Sequence, residues 1–368
     1  MKSVLYVGMD VHKETIVIAC AAEGEEIRMV GTIANTAAAL DAIVRKLVSG
    51  GKCPSFVYEA GPGGYVICRH LREMGFTCMV AAPSLIPRKS GERIKTDRRD
   101  AVMLTRLYRA GELTGIVVPD ADDEAMRDLY RARNDAKKMC KTAKQQLLGF
   151  LLRMGVVYPT GTHWTKTHYK WLDALSLGHP AQQLTLQEYL DAIRQSESRV
   201  VRLEGMLQSS AQSWKRLEEV KRLQSLRGVS FITAVGLLAE LGDLRRFKSA
   251  RQLMAYTGLV PSENSSGNAV RRGRITKTGN ANVRWMLIES AWSYRLKARK
   301  SRRLLKRQAE VDPQTAELSW KAQVRLCGRY QRLLQKGKPR GKVITCVARE
   351  LAGFIWALGI MQPMEQAA

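Results

Sequence analysis

No stretch of this 368-residue sequence approaches the roughly 20 uninterrupted apolar residues of a membrane-spanning helix. Its opening residues also lack the basic, apolar and small-residue succession of a secretory leader. Both absences point to a cytoplasmic chain with no membrane partner. The seven cysteines, at 20, 53, 68, 78, 140, 327 and 346, are scattered and form neither a C-x-x-C pair nor a Cys/His cluster with zinc spacing. Reduced, mostly buried thiols are expected, and no structural zinc. By spacing, His12, His70, His163, His168 and His179 form no metal constellation either. Carboxylates are scarce relative to cations: 34 Asp and Glu face 60 Lys and Arg, a formal net charge of +26. That excess goes far beyond what solubility needs and implies a polyanionic partner, nucleic acid first.

A composition of 45% hydrophobic and 26% charged residues is that of a globular chain, long enough for two or three domains. Within residues 1–118, apolar runs of strand length occur at Val4 to Met9, Ile16 to Ala22, Ile27 to Ile33, Ser55 to Tyr58 and Thr77 to Ala82. Helical patterns lie between and after them, at Thr36 to Val48, Gly64 to Met74 and Asp97 to Ala110. Three strands, then helix, strand, helix, strand, helix, is the element order of a ribonuclease-H-like α/β domain.

Residues 119–225 read as helical. Apolar positions Leu186, Leu190, Ile193, Val200, Leu203, Leu207, Trp214 and Leu217 recur at three-, four- and seven-residue spacings, which suits a long hairpin or coiled coil. Glu197 and Glu204 interrupt the seam, so an ordinary bundle helix stays open. A coiled-coil stripe would seek a second copy of the chain; a bundle helix would bury it internally. A stretch rich in Gly, Pro, Thr, His and Trp marks an insertion near 156–180. Residues 226–368 form a mainly helical C-terminal domain, opened by a helix-turn-helix pattern from Leu226 to Leu244 with Gly228 in the turn.

The chemistry lies in the carboxylates. The apolar run VLYVGMD ends at Asp10 and SFVYE ends at Glu59, so two acids stand at the carboxyl ends of two strands. KTDRRDA adds Asp97 and Asp100, three residues apart and therefore on one face of a helix. Taken singly, each is an ordinary turn or cap residue. Together they make a hard, all-oxygen donor set suited to magnesium, with manganese possible. Such ions polarise phosphodiesters.

GMDVHK at Gly8 to Lys13, YEAGPGGY at Tyr58 to Tyr65 and KTDRRDA at Lys95 to Ala101 resemble the DEDD motifs of bacterial insertion-sequence transposases related to the Piv DNA invertase, the family numbered one hundred and ten. RGVSFITAVGLLAELGD resembles that family's helix-hairpin-helix segment, and GLVPSENSSGNAVRRGRITKTGNANVRWML its most recognisable block. Ser230 departs from the second glycine usual in such a hairpin, so the resemblance does not carry a phosphate contact over to that turn. The resemblance implies a RuvC-like catalytic domain with Asp10, Glu59, Asp97 and Asp100 as metal ligands, a helical middle region that mediates assembly, and a C-terminal transposase domain with a nucleophilic serine. It selects Ser266, directly before Gly267, with Ser265 the runner-up and Ser262 in the same motif. It further implies donor and target double-stranded DNA as substrates, a structured noncoding guide RNA, and a homo-oligomer, dimer or tetramer. A stand-alone RuvC-like endonuclease using water as nucleophile is the enzymatic alternative. A nucleic-acid-binding protein with relic acids is the non-enzymatic one.

Charge is uneven along the chain. Residues 1–60 carry 6 Lys/Arg against 7 Asp/Glu, whereas Ser266 to Arg307 carry 13 Lys/Arg against Glu289 alone. Arg271, Arg272, Arg274 and Lys277 sit among glycines, where side chains and backbone amides can both approach phosphates. Arg295, Lys297, Arg299, Lys300, Arg302, Arg303, Lys306 and Arg307 read as a dense basic helix, and Trp285, Trp292 and Tyr294 as core residues rather than base-stacking platforms. Affinity for duplex DNA is therefore expected to fall steeply with salt, log K declining by about 0.9 per contacted phosphate for each log unit of salt. Charge reversal at Arg302 and Arg303 flattens that slope in a binding titration; salt-independent binding would dismiss the basic block as the contact surface.

Overall fold

The computed structural model describes residues 3–87, 96–159, 161–266 and 270–361, which divide into two compact units, 1–118 and 119–368. The first contains β1 (Val4–Val11), β2 (Thr15–Ala22), β3 (Arg28–Ala34), α1 (Ala37–Val48), β4 (Cys53–Glu59), α2 (Val66–Glu73), β5 (Thr77–Ala81) and α3 (Asp97–Arg109). The sheet order is β3-β2-β1-β4-β5, antiparallel from β1 to β3 and parallel across β1, β4 and β5. This is the predicted mixed α/β arrangement, with every expected strand and helix present.

Alternation along the strands separates two apolar layers. Val7, Met9, Ile16, Ile18, Phe56 and Tyr58 pack with α1 and α2, whose Leu40, Ile43, Val44, Leu47, Ile67 and Leu71 form stripes of helical period. Val17, Ala19 and Val57 lie on the opposite face, with Ala101, Leu104 and Leu107 of α3. Gly8 belongs to that second face and sets how closely α3 lies. A Cβ at Gly8 would stand 2.5 Å from both the Ala101 carbonyl oxygen and the Thr105 hydroxyl. Instead the Gly8 amide donates to Thr105 Oγ1 at 3.1 Å, and that hydroxyl faces the Ala101 carbonyl at 2.9 Å.

The second unit contains α4 (Ala121–Arg153), α5 (Lys166–Ala174), α6 (Pro180–Ala211), α7 (Leu217–Gln224), α8 (Phe231–Leu241), α9 (Ala250–Tyr256), β6 (Pro261–Glu263), β7 (Arg272–Ile275), α10 (Ala281–Ala291), α11 (Arg302–Gln308), α12 (Pro313–Gln335) and α13 (Arg340–Ile360). Helices α4 and α6 form the long hairpin, and α5 occupies the insertion among Tyr158, His163, Trp164 and Trp171. The seam is satisfied within the chain: Leu186, Leu190 and Ile193 pack with Leu147 and Phe150, while Leu207 joins the core of α8, α10 and α13. The two glutamates that break the pattern are paired across it, Glu197 with Lys144 and Glu204 with Arg133. Of the two readings left open, internal packing holds at Ile193 and Leu207, both fully buried, while Val200, Leu203 and Leu217 are half-buried.

Among the described residues α13 is the one helix long and apolar enough to cross a membrane by composition. It carries Arg349 and Glu350, and Val343, Val347, Leu351, Ile355 and Leu358 are fully buried in the unit's core.

Gly8→Ala is expected to destabilise the first unit by about 1–3 kcal/mol, because a methyl group there must displace backbone as well as the Thr105 hydroxyl. The urea midpoint reads this; an unchanged midpoint would mean that α3 does not press on β1.

Candidate active site

Close seating of α3 carries its first turn over the carboxyl end of β1. Residues alternate faces along a strand, so Asp10, two after Gly8, shares the α3 side. Glu59, two after Val57, does the same on β4, and the register Met9↔Tyr58 sets Asp10 and Glu59 side by side on adjacent strands. Thr96 caps α3 by accepting from the Arg99 amide, which brings Asp97 and Asp100 into the first turn. The helix dipole favours negative charge at that position.

The side chains converge accordingly. Ligand atoms of Asp10, His12 and Asp97 all lie within 4.8 Å of one another. His12 Nε2 stands 3.1 Å from Asp10 Oδ2 and 3.5 Å from Asp97 Oδ1. Burial pushes the Asp10 carboxyl above its ordinary range; His12 opposes this, and the charges of Asp100 and Asp97 reinforce it. Asp100 is therefore electrostatically part of the site, and Glu59 lies at the same sheet edge, but neither belongs to the 4.8 Å group. Spacing among histidines and cysteines does not reveal His12, because its partners are carboxylates. The available signal was D-x-H at a strand end, since residues two apart in extended chain share a side. The turn holds it: His12 N donates to the Thr15 carbonyl, and Asn35 Nδ2 donates to the His12 carbonyl at 2.8 Å. The carboxylates fit magnesium or manganese, and the imidazole orients Asp10 or adds a nitrogen donor that magnesium favours less.

In the second unit, β6 and β7 pair antiparallel, Pro261 with Ile275 and Glu263 with Arg272, with Ser262 in β6 and Ser265 and Ser266 just after it. Its three serines differ. Ser262 Oγ donates to the Arg274 carbonyl at 3.1 Å. Ser265 Oγ donates to Glu263 and accepts from the Arg271 amide. Ser266 is exposed, and its hydroxyl makes no hydrogen bond among the described residues; Gly267, expected to leave room beside it, lies outside them. Arg271, Arg272, Arg274 and Lys277 are exposed along the same hairpin, Arg272 facing Glu263 at 3.6 Å and Lys277 holding a left-handed φ of 57°.

The hairpin's root rests on a group absent from the sequence reading. Glu240 is buried; it accepts from Arg131 Nε and Nη2, each at 2.8 Å, and from Asn280 Nδ2 at 2.7 Å. Against the upward push of burial, these partners hold its carboxyl below the ordinary range. Asn280 in turn caps α10.

Two expectations for this region change. The basic stretch 295–307 is not one helix: a 3-10 turn ends at Arg295, residues 296–301 are non-helical, and α11 begins at Arg302. Two side chains of α12 and one from the turn between α7 and α8 take the carbonyls a helix would use, Gln331 that of Arg295, Gln323 that of Arg299 and Arg227 that of Lys297. Arg299, Lys300, Arg302 and Arg303 remain exposed. Trp285 is 51% exposed rather than core, Trp292 is half-buried against the core, and Tyr294 is fully buried. At the hairpin opened by Gly228, Ser230 replaces glycine because its hydroxyl caps α8, accepting from the Thr233 amide.

Two family models match the chain. The transposase model DEDD_Tnp_IS110 covers residues 7–155, and the model described as "Transposase IS116/IS110/IS902 family" covers residues 220–306. The putative transposase y4qE of Sinorhizobium fredii is 44% identical over 96% of this chain and 88% of its own. The transposase for insertion sequence element IS1533 of Leptospira borgpetersenii is 32% identical over 92% of this chain and 99% of its own, and that for IS1111A of Coxiella burnetii is 25% identical over 79% and 78%.

Manganese titration followed by electron paramagnetic resonance checks the constellation. His12→Ala is expected to weaken binding about tenfold, as loss of an orienting partner does, and Asp10→Asn to weaken it further. Three equal affinities, native protein included, would show that the ion is held elsewhere.

Proposed function

The chain belongs to the IS116/IS110/IS902 family of insertion-sequence transposases, and from that we propose that it cuts and rejoins DNA with a divalent-metal carboxylate site and a serine nucleophile. The observation that carries the metal part is the convergence of Asp10, Asp97 and His12, with Asp100 close enough to raise the Asp10 carboxyl. The mixed sheet with α3 on one face and α1 and α2 on the other supports reading residues 1–118 as a ribonuclease-H-like, RuvC-like domain. Residues 119–225 serve as the arm and residues 226–368 as the serine-bearing domain.

Asp10, Glu59, Asp97 and Asp100 hold the ion, magnesium or manganese, whose role is Lewis-acid polarisation of a scissile phosphodiester. The serine supplies the new bond. Ser266 Oγ bonds to phosphorus and gives up its proton, while the bond from phosphorus to one sugar oxygen breaks and that oxygen takes a proton. Ester energy is conserved in the protein-DNA link, so attack by a sugar hydroxyl of a second strand restores a phosphodiester without a nucleotide cofactor. Ser266 is exposed and directly precedes Gly267, as the family resemblance requires, whereas the Ser265 oxygen is held by Glu263 and Arg271. Arg271, Arg272, Arg274 and Lys277 stand on the same hairpin, where cations stabilise charge developing on phosphate oxygens. Arg299, Lys300, Arg302 and Arg303 add sequence-independent affinity for donor and target DNA. A structured noncoding RNA as guide, and an oligomer that brings at least two active sites to strand exchange, complete the proposal.

Trapping of a denaturation-resistant protein-DNA adduct tests it. The adduct is expected with the native chain, to vanish in Ser266→Ala and to persist in Ser265→Ala. The reverse pattern moves the nucleophile by one residue, and recombination undiminished in both variants rules out serine attack in favour of water.

A further inference from the structure

The basic strap 296–301 begins beside a cavity that nothing above employs. About 480 Å³ in volume, it lies among the 3-10 turn ending at Arg295, the last turns of α12 and the first residue of α13. Trp292, Leu296, Tyr330 and Leu334 line it with apolar surface, and Arg295 and Arg340 add charge. Leu296 is 56% exposed, an apolar side chain left in water within a strongly cationic surface. The sequence holds no Asp or Glu from residue 290 to 309, nor from 318 to 349. The strap is tied down where it leaves the cavity: the carbonyls of Arg295 and Arg299 accept from Gln331 and Gln323 of α12, and that of Lys297 accepts from Arg227 in the turn before α8.

A surface that only tracks a duplex backbone needs cations and amides, and gains nothing from an apolar cavity. Stacked bases in a duplex cannot reach such a recess, whereas an unpaired nucleotide offers an apolar face together with phosphates on either side. The volume falls within the range of sites that enclose small ligands. We propose that this cavity receives one unpaired nucleotide, its base against Trp292 and Leu296 and its neighbouring phosphates on Arg295, Arg340 and the strap cations Lys297 and Arg299. The inference rests on the reading that the C-terminal basic region meets nucleic acid. It adds a preference for single-stranded or bulged strands, which a uniformly basic helix would not give.

The test uses the full-length protein and a short oligonucleotide bearing 2-aminopurine, as single-stranded DNA, as single-stranded RNA and as a DNA duplex. Binding is followed by anisotropy and stacking by 2-aminopurine quenching. Leu296→Ser removes apolar surface without altering charge at an exposed position, and Arg302→Ala serves as the purely electrostatic comparison. The native protein is expected to quench the single strand, and Leu296→Ser to lose that quenching together with about tenfold in single-strand affinity while duplex affinity holds. Arg302→Ala is expected to weaken single strand and duplex alike and to keep the quenching. Comparison of the DNA and RNA arms identifies which strand the cavity prefers. Duplex binding without quenching of either single strand would overturn the proposal and assign the cavity to an apolar partner, leaving the basic-region reading intact. Absence of all nucleic-acid binding would overturn both.

Discussion

The contact between Gly8 and helix α3 is the constraint on which the candidate active site depends. A hydrogen atom at that position lets the Ala101 carbonyl and the Thr105 hydroxyl come within a distance no side chain would permit. One turn earlier on the same helix stand Asp97 and Asp100, and two residues later on the same strand stands Asp10. A bulkier residue would lift the helix and separate the acids it delivers. The Thr105 hydroxyl pins this approach by accepting from the backbone amide of Gly8 itself.

Burying a carboxylate and bringing others near it both have an electrostatic cost: burial, and to a smaller degree the charges of Asp100 and Asp97, raise the Asp10 carboxyl. Three features of the chain offset part of it. The amino end of α3 presents its positive dipole to Asp97 and Asp100. His12 lies against both Asp10 and Asp97. Asp97 remains 61% exposed, so water screens it. The remaining repulsion favours a cation, which is why an arrangement mildly unfavourable alone is suited to a metal-dependent reaction.

Much of this was legible in the sequence where local periodicity and tertiary placement coincide. The strand runs and helical patterns of residues 1–118 appear nearly as expected, because alternation and helical stripes are the same physics that builds the two apolar layers. The acids were legible because each ends a strand or begins a helix. His12 was not, since its partner is set by strand geometry rather than by another histidine. The break at 296–301 was hidden for a related reason: glutamines and an arginine distant in sequence take the carbonyls, and no local pattern announces that. Glu197 and Glu204 seemed to disrupt a seam until Lys144 and Arg133 were found facing them. Composition does not distinguish Ser265 from Ser266; the resemblance to the family does, and the hydrogen bonds of Ser265 to Glu263 and Arg271 could not be read from the sequence.

The two units divide the work by charge. The first keeps cations and acids nearly balanced over residues 1–60, and the second carries the cationic stretches of the hairpin, the strap and the start of α13. Most of the cationic surface thus lies outside the unit that carries the carboxylates, and the central claim concerns those carboxylates: that Asp10, Glu59, Asp97 and Asp100 bind a divalent cation. Diffraction from crystals grown with manganese, measured at the manganese absorption edge, addresses it directly. The account predicts an anomalous peak within about 2.5 Å of carboxylate oxygens of Asp10 and Asp97, with Glu59 or Asp100 turned toward it. Saturating manganese with no peak at these residues would contradict it.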